Sequence, residues 1–404
     1  MAFGTSIDQR KKNKRNHVVD LFRRNRLLSK IQTRKLSGYS MNTVLTIFDS
    51  LIDEEIIVEA DGEQKPLGRK ATFYRLNEGK MLYLGITFNQ SGIYSSLVSF
   101  SGGILETGVT MLRNDIQRDD FLLLLADAIR EILQRKPEYH PGCVAVGISV
   151  PGDIDVNSGI LRSYTLMPRL NGIDFLGLLK QLLPGMRHAV DHNIRSMTSY
   201  FLMDRELVEN NAKILFISAR SGTANGIISS GSIVTAHGEF GHVRVSDNPD
   251  RCICGRTGCL DNYFSYNAFM KLIAEKVDPS VLDDEKPGDI PGLGVLVRLY
   301  REGNREIKEE LDSRLSLFSM ALLDVINVTV PDMVILSGDL FRVYGDPVDS
   351  IKEVMGRNFP DSGYVPHFKN ARLDYRDLGT EIASLGICHS MIQEDWDYIQ
   401  EEER

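Results

Sequence analysis

The run Cys252-Ile253-Cys254-Gly255-Arg256-Thr257-Gly258-Cys259 decides how the body of this chain is read, together with the segment Gly238-Glu239-Phe240-Gly241-His242 before it. Three of the five cysteines fall within eight residues, and nine residues separate His242 from the first of them. Thiolate and imidazole are the donors that a closed, four-coordinate zinc site takes, and each must be deprotonated to bind. Gly255 and Gly258 allow so short a loop to turn all three sulfurs toward one point. The spacing predicts a structural metal site with His242, Cys252, Cys254 and Cys259 as its ligands, and Zn2+ as the ion. All four positions are filled by protein, which argues against a hydrolytic role.

Length and charge place this cluster in a larger plan. The 404 residues exceed one ordinary core, so two or three domains are expected. The net charge of -8 conceals an asymmetry. Residues 1–80 carry 16 Lys+Arg against 10 Asp+Glu, so the head is basic and the remainder strongly acidic. Such a division predicts that the head alone meets a polyanion. No uncharged apolar run follows the amino terminus, and no stretch approaches the length of a membrane span, so neither a secretory leader nor membrane insertion is expected. Free thiols beside a metal cluster point to the reducing cytoplasm.

Within the head, Arg10 to Lys35 contains eleven basic residues and one acid, Asp20. Val18, Val19, Leu21 and Phe22, then Leu27, Leu28, Ile31 and Leu36, repeat at helical spacing. Ser37-Gly38-Tyr39 breaks the pattern, and Ser40 reads as the N-cap of a third helix. Its expected buried stripe is Val44, Leu45, Ile47, Phe48, Leu51 and Ile52. Helix, glycine-containing turn and capped helix form a helix-turn-helix pattern. Its second helix would present Ser40, Asn42, Thr43 and Thr46 to base edges in a major groove of double-stranded DNA. Residues 56–60 and 71–76 predict a β-hairpin, or wing, whose tip carries Arg69 and Lys70 toward phosphates or a minor groove.

Beyond residue 80, strands and helices alternate in two successive series, which predicts two α/β lobes with a cleft between them. Here the chain resembles the ROK family of repressors, open reading frames and kinases. Gly147-Ile148-Ser149-Val150-Pro151-Gly152 resembles its mid-domain turn, Gly238–His242 its Gly-Glu-x-Gly-His element, and Cys252–Cys259 its zinc motif. The head resembles the winged helix of the family's repressor branch, Gly68-Arg69-Lys70 included. The resemblance implies an α/β fold in which a winged helix-turn-helix precedes a two-lobed actin-like ATPase/sugar kinase (ribonuclease H-like) body. The expected division is 1–80, 81–190 and 191–379, with a final helix near 380–397 returning to the first lobe.

The same resemblance exposes what has changed. Family kinases carry an Asn-Asp pair after the strand at the cleft, and its Asp is the general base. The matching segment is Val190-Asp191-His192-Asn193-Ile194, which puts Asn193 at the base position. An amide cannot accept a hydroxyl proton, and losing a general base costs about 10²–10⁴ in rate. The first phosphate loop reads Thr87-Phe88-Asn89-Gln90-Ser91, without the family's carboxylate and glycines. The body is therefore expected to be no enzyme. His192, Asn193, Glu239, His242 and Asp261 match or replace family sugar-binding positions, which implies a sugar or sugar-phosphate effector. Arg220 admits two readings, a partner for an anionic effector or a surface ion pair. The function expected is a DNA-binding regulator, a repressor of carbohydrate genes acting as a homodimer or homotetramer. An active sugar kinase with a DNA-binding head and a regulator switched by a protein partner are the alternatives.

Overall fold

The computed structural model describes residues 7–60, 72–113, 115–135, 144–204, 207, 212–278, 292–357 and 367–398. Its amino-terminal unit contains α1 (Ile7–Asn25), β1 (Leu28–Ser29), α2 (Lys30–Ser37), α3 (Met41–Asp53), β2 (Ile57–Ala60) and β3 (Phe73–Leu76). The local chemistry of the turn is as the sequence suggests. A capping box formed by Ser29 and Gln32 opens α2, and Gly38 closes it with a left-handed φ of 71°. The Ser40 side chain then accepts the Thr43 amide at the start of α3. Val44, Ile47, Phe48 and Leu51 are buried, as the amphipathic spacing requires.

Three details differ from the expected stripe. Ile31 and Leu36 are 69% and 50% exposed, and Ile52 lies on the surface. Thr33 is instead the buried residue of α2, its hydroxyl donating to the Ser29 carbonyl. The helix begins two residues later than the apolar spacing implied, because Leu28–Ser29 pairs with Phe73–Tyr74 as a strand. That rotates the apolar positions off the core. β1, β3 and β2 form one antiparallel sheet, whose hairpin is the expected wing. Arg69 and Lys70 lie outside the described residues.

The first large sheet contains β4 (Leu82–Phe88), β5 (Gly92–Ser99), β6 (Ile104–Met111), β7 (Val144–Val150) and β10 (Arg187–His192). α4 (Arg118–Gln134), the β8–β9 hairpin (Asp153–Asp155, Ile160–Ser163) and α5 (Phe175–Leu182) lie between its strands in sequence. α6 (Asn193–Tyr200) follows. The second sheet contains β11 (Ile214–Ala219), β12 (Thr223–Ser229), β13 (Ser232–Gly238), β14 (Met333–Ser337) and β15 (Arg372–Tyr375). Its helices are α7 (Tyr266–Lys276), α8 (Leu293–Arg301), α9 (Arg305–Thr329) and α10 (Val348–Arg357), and α11 (Ile382–Tyr398) ends the described chain.

Both sheets have one order. The first runs β6-β5-β4-β7-β10 and the second β13-β12-β11-β14-β15. In each, an antiparallel meander is followed by two parallel strands on the far side of its first strand. This is the repeated ribonuclease H-like plan expected of the body. Inner strands such as β7 are buried at every position, which is why they read as unbroken apolar runs. β6 is an edge strand that alternates between exposed and half-buried positions.

α11 connects these parts. It lies across β4, β5 and β7 and crosses α6. At the crossing, a Cβ on Gly386 would occupy the space of the Ser196 carbonyl oxygen, so only glycine permits this approach. Ile382 and Ala383 belong to the apolar cluster with Phe216, Met333 and Ile335 of the second sheet. One to three turns later, Leu385, Cys388, Met391 and Ile392 join a cluster containing Val18, Phe22, Phe48 and Tyr74 of the head. The head's core is therefore continuous with the first sheet through this helix.

His389 sits in that junction, 7% exposed. Burial, and then the nearby charge of Arg23, push its imidazole down to about 3. An unfolded histidine takes up a proton near the usual value of about 6.5. Between these limits only the unfolded state binds the proton, so this contribution is complete above the unfolded value and is lost as pH falls toward the folded one. Urea unfolding at about pH 7 and about pH 5.5 is expected to show the native chain losing about 1 kcal/mol more than His389→Gln. Equal losses would contradict this assignment.

Candidate functional site

Two groups of side chains face the region between the sheets. The first is the loop after β13. Gly241 is fixed there by space, since a Cβ would collide with the Asp261 carboxylate. The turn Phe240–His242 brings the His242 ring under the cysteine loop. One donor atom from each of His242, Cys252, Cys254 and Cys259 lies within 4.8 Å of the others. His242 Nδ1 stands 3.6 Å from Cys252 Sγ, and Cys254 Sγ stands 3.6 Å from Cys259 Sγ. Donors around a tetrahedral zinc at about 2.0–2.3 Å are separated by about 3.5–3.8 Å, so the four residues fit such an ion. Cys252 and Cys259 are buried. Burial pushes the Cys259 thiol up to about 12 and raises that of Cys252, whereas donation from the Arg256 backbone lowers Cys254 to about 7. Three sulfurs packed together in this way match the chemistry of a shared cation, which lowers thiol values and replaces the lost water.

The other ring nitrogen, His242 Nε2, faces away from the sulfurs and lies 3.7 Å from Glu239 Oε2. The carboxylate of Glu239 is substantially exposed, which leaves it able to reach a bound hydroxyl. Asp261 is held differently. One oxygen accepts the Thr223 amide at 3.0 Å. Burial dominates over that bond, and its carboxyl is pushed up to about 7. Asp261 therefore braces the start of β12 against the cysteine loop.

The second group lines the cleft. A cavity of about 60 Å³ is bounded by Asn89, Gln90, Tyr164, Asn193, Arg220 and Thr380, among others. Of the five residues proposed from sequence for an effector, Asn193 lines this cavity. Glu239, His242 and Asp261 form the metal-loop group, joined to the cleft through Gly222 and Ser221, whose chain passes Asp261. His192 occupies the N-cap position of α6 at the end of β10, without a side-chain capping bond. Asp191 turns from the cleft, accepting the His192 amide at 2.8 Å and pairing with Arg195 at 3.3 Å.

Arg220 is neither a surface ion pair nor an open anion receptor. Its side chain is 12% exposed and donates to Asp339 at 2.8 Å and to the Leu378 carbonyl at 2.6 Å. Asn89 donates to the Thr380 hydroxyl across the same opening. Asp339, Tyr164 and Thr380 were not singled out from sequence. Nothing local in the sequence marks Tyr164 or Thr380.

On the head, Asn42 and Thr46 are exposed on one face of α3, one turn apart. The Thr46 hydroxyl donates to the Asn42 main-chain carbonyl at 3.0 Å. Ser40 and Thr43 are engaged with each other in the cap, at 2.9 Å between hydroxyls. Among the described residues no helix is long and apolar enough to cross a membrane.

Residues 104–373 match the model of the ROK family. The chain is similar to the xylose repressor of Caldicellulosiruptor bescii, 23% identical over 384 residues, which cover 92% of this chain and 93% of that protein. Its fold is similar to the crystal structure of a ROK family transcriptional regulator described as a homolog of the E. coli MLC protein. The TM-score is 0.75 with 17% identity, covering 96% of this chain and 98% of that one. It is also similar to the ROK hexokinase of Thermus thermophilus, with TM-score 0.60 and 18% identity, covering 78% of this chain and all of that enzyme. The head thus precedes a body with the actin-like sugar kinase fold, and the chain belongs to the ROK family.

Proposed function

We propose that this protein is a DNA-binding transcriptional repressor whose grip on its operator is set by a sugar or sugar phosphate in the cleft. The observation that carries this reading is the path of α11. It begins beside the cleft after Thr380, and through Cys388, Met391 and Ile392 it shares one apolar cluster with the helix-turn-helix head and the first sheet. A change in lobe angle at the cleft would move the head through packed side chains. Similarity to a xylose repressor over nearly the whole chain supports the same conclusion.

In this reading the chain has three units: 1–80, 81–190 with the returning last helix, and 191–379. Two copies, as a homodimer or within a homotetramer, set the spacing of paired heads on pseudo-palindromic double-stranded DNA in the cytoplasm. Asn42 and Thr46 read base edges, Ser40 and Thr43 order the helix start, and Arg69 and Lys70 serve phosphates. Asn193, His192, Glu239, His242 and Asp261 hold the effector. Kinase activity is lost in this reading, because Asn193 cannot serve as the base and Arg220 is committed to Asp339. Zn2+ bound by His242, Cys252, Cys254 and Cys259 orders the loop that presents Glu239.

Three outcomes test this. Against a duplex selected from random sequence by the full-length protein, Asn42→Ala is expected to weaken binding by about 1–3 kcal/mol. Its affinity for unrelated duplex should be unchanged; fluorescence anisotropy that finds equal losses on both, or none, contradicts base reading. Metal analysis is expected to give one zinc per native chain and almost none in Cys254→Ser/Cys259→Ser. A metal-free native chain would contradict the site. A thermal-shift screen of monosaccharides and their phosphates, beginning with D-xylose, is expected to find a ligand that raises the melting temperature and releases the selected duplex, with both effects lost in Asn193→Ala. Sugar-dependent ATP hydrolysis would overturn the loss of kinase activity.

A further inference from the structure

A cavity of about 820 Å³ lies where head and body meet, far larger than the space left in the cleft. It falls within the range of small-molecule sites. Its walls come from six places in the chain: the end of α1, β3, the β5–β6 turn, α6 and the turn after it, the β12–β13 turn, and the middle of α11. Ligand there would touch the head, both sheets' connections and α11 at once.

The lining is cationic and rich in hydroxyl groups. Arg23 and Arg24 enter from α1, Arg26 from the turn after it, Arg75 from β3 and Arg195 from α6, against Asp20, Glu78 and Glu394. Part of this charge is already used. Arg23 lies 3.7 Å from Asp20, and Arg195 lies 3.3 Å from Asp191. Arg26 and Arg75 form no ion pair among the described residues. Arg26 also holds a left-handed φ of 57°, which an arginine rarely adopts, and this places its exposed side chain at the cavity edge. Ser101, Ser199, Ser232 and Ser390 add hydroxyls, of which Ser199 and Ser390 bond to each other at 2.8 Å and Ser101 bonds to Ser99 at 3.0 Å. His389 supplies a buried donor. Its Nε2 lies 3.2 Å from the Gln393 amide nitrogen and so accepts, which puts the ring proton on Nδ1. That Nδ1 has no partner among the described residues. A buried N–H without an acceptor is costly, and a guanidinium fork matches the geometry of phosphate oxygens.

We propose that this junction is a ligand site separate from the cleft, built for a small phosphate ester of a polyol or sugar. Guanidinium groups from head and body take the phosphate, and the serine hydroxyls take the polyol. Because the walls belong to different units, occupancy fixes the head against the body and adds a second control over DNA binding. The proposal does not depend on what the cleft binds.

Isothermal titration of the full-length protein with glucose 6-phosphate, and with inorganic phosphate, at ionic strength matched by chloride tests it. Binding is expected for both, tighter for the ester. Arg195→Glu and Arg26→Glu, both at exposed side chains, are each expected to weaken it by roughly tenfold or more. Arg305→Glu on the distant α9 is expected to leave it unchanged. Absence of binding by the native chain would overturn the proposal. So would binding lost in Asn193→Ala but kept in Arg195→Glu, which places the ester in the cleft. A third overturning result is an Arg26→Glu chain that loses affinity and salt dependence on unrelated duplex DNA while the native chain binds neither phosphate, which makes the cavity edge a seat for DNA backbone.

Discussion

The close crossing of α11 over α6 is the contact on which the arrangement of this protein depends. Gly386 against the Ser196 carbonyl brings two backbones together between the sheets. A larger residue would lift α11 from β4 and β7, and with it the apolar side chains that enter the head. Close-packed interiors transmit displacement because they hold few voids. The head is thus attached by a shared core as well as by the peptide chain, and a movement of either lobe changes the surface it rests on.

The cleft end of the same helix is held by charge. Arg220 links the end of β11 to Asp339 after β14 and to the Leu378 carbonyl just before α11. A buried pair of this kind is weak evidence for stability, since desolvation opposes the attraction, but it fixes geometry. Arg220 thus acts as a strap between the two strand ends and the start of α11. The metal loop does related work on the other side, where Asp261 secures Thr223 and the His242 ring is shared between sulfur ligands and Glu239.

The head and the metal loop were legible in the sequence because their determinants are local. Ser40, Gly38 and the heptad-like spacing of Val44, Phe48 and Leu51 act within a few residues, and so do Cys252, Cys254 and Cys259. Inner strands were legible as apolar runs. The edge strands β6 and β15 are less legible, since few of their positions are buried and the apolar signal is diluted. Ile31 and Leu36 repeat at helical spacing yet lie exposed, because spacing alone cannot reveal that Leu28–Ser29 would be drawn into a strand with β3. Arg220 illustrates the remaining limit: its partners lie 119 and 158 residues away, and no spacing rule reaches them. The division of the candidate effector residues between cleft and metal loop has the same origin.

The central claim is that the cleft and the DNA-binding head are mechanically one through α11. Amide hydrogen exchange of the full-length chain, compared with Arg220→Ala, tests it without requiring an effector. Releasing the strap is predicted to speed exchange along residues 382–392 and in the head at residues 18–22. Faster exchange confined to residues 214–226 and 337–340, with α11 and the head unchanged, would contradict the account.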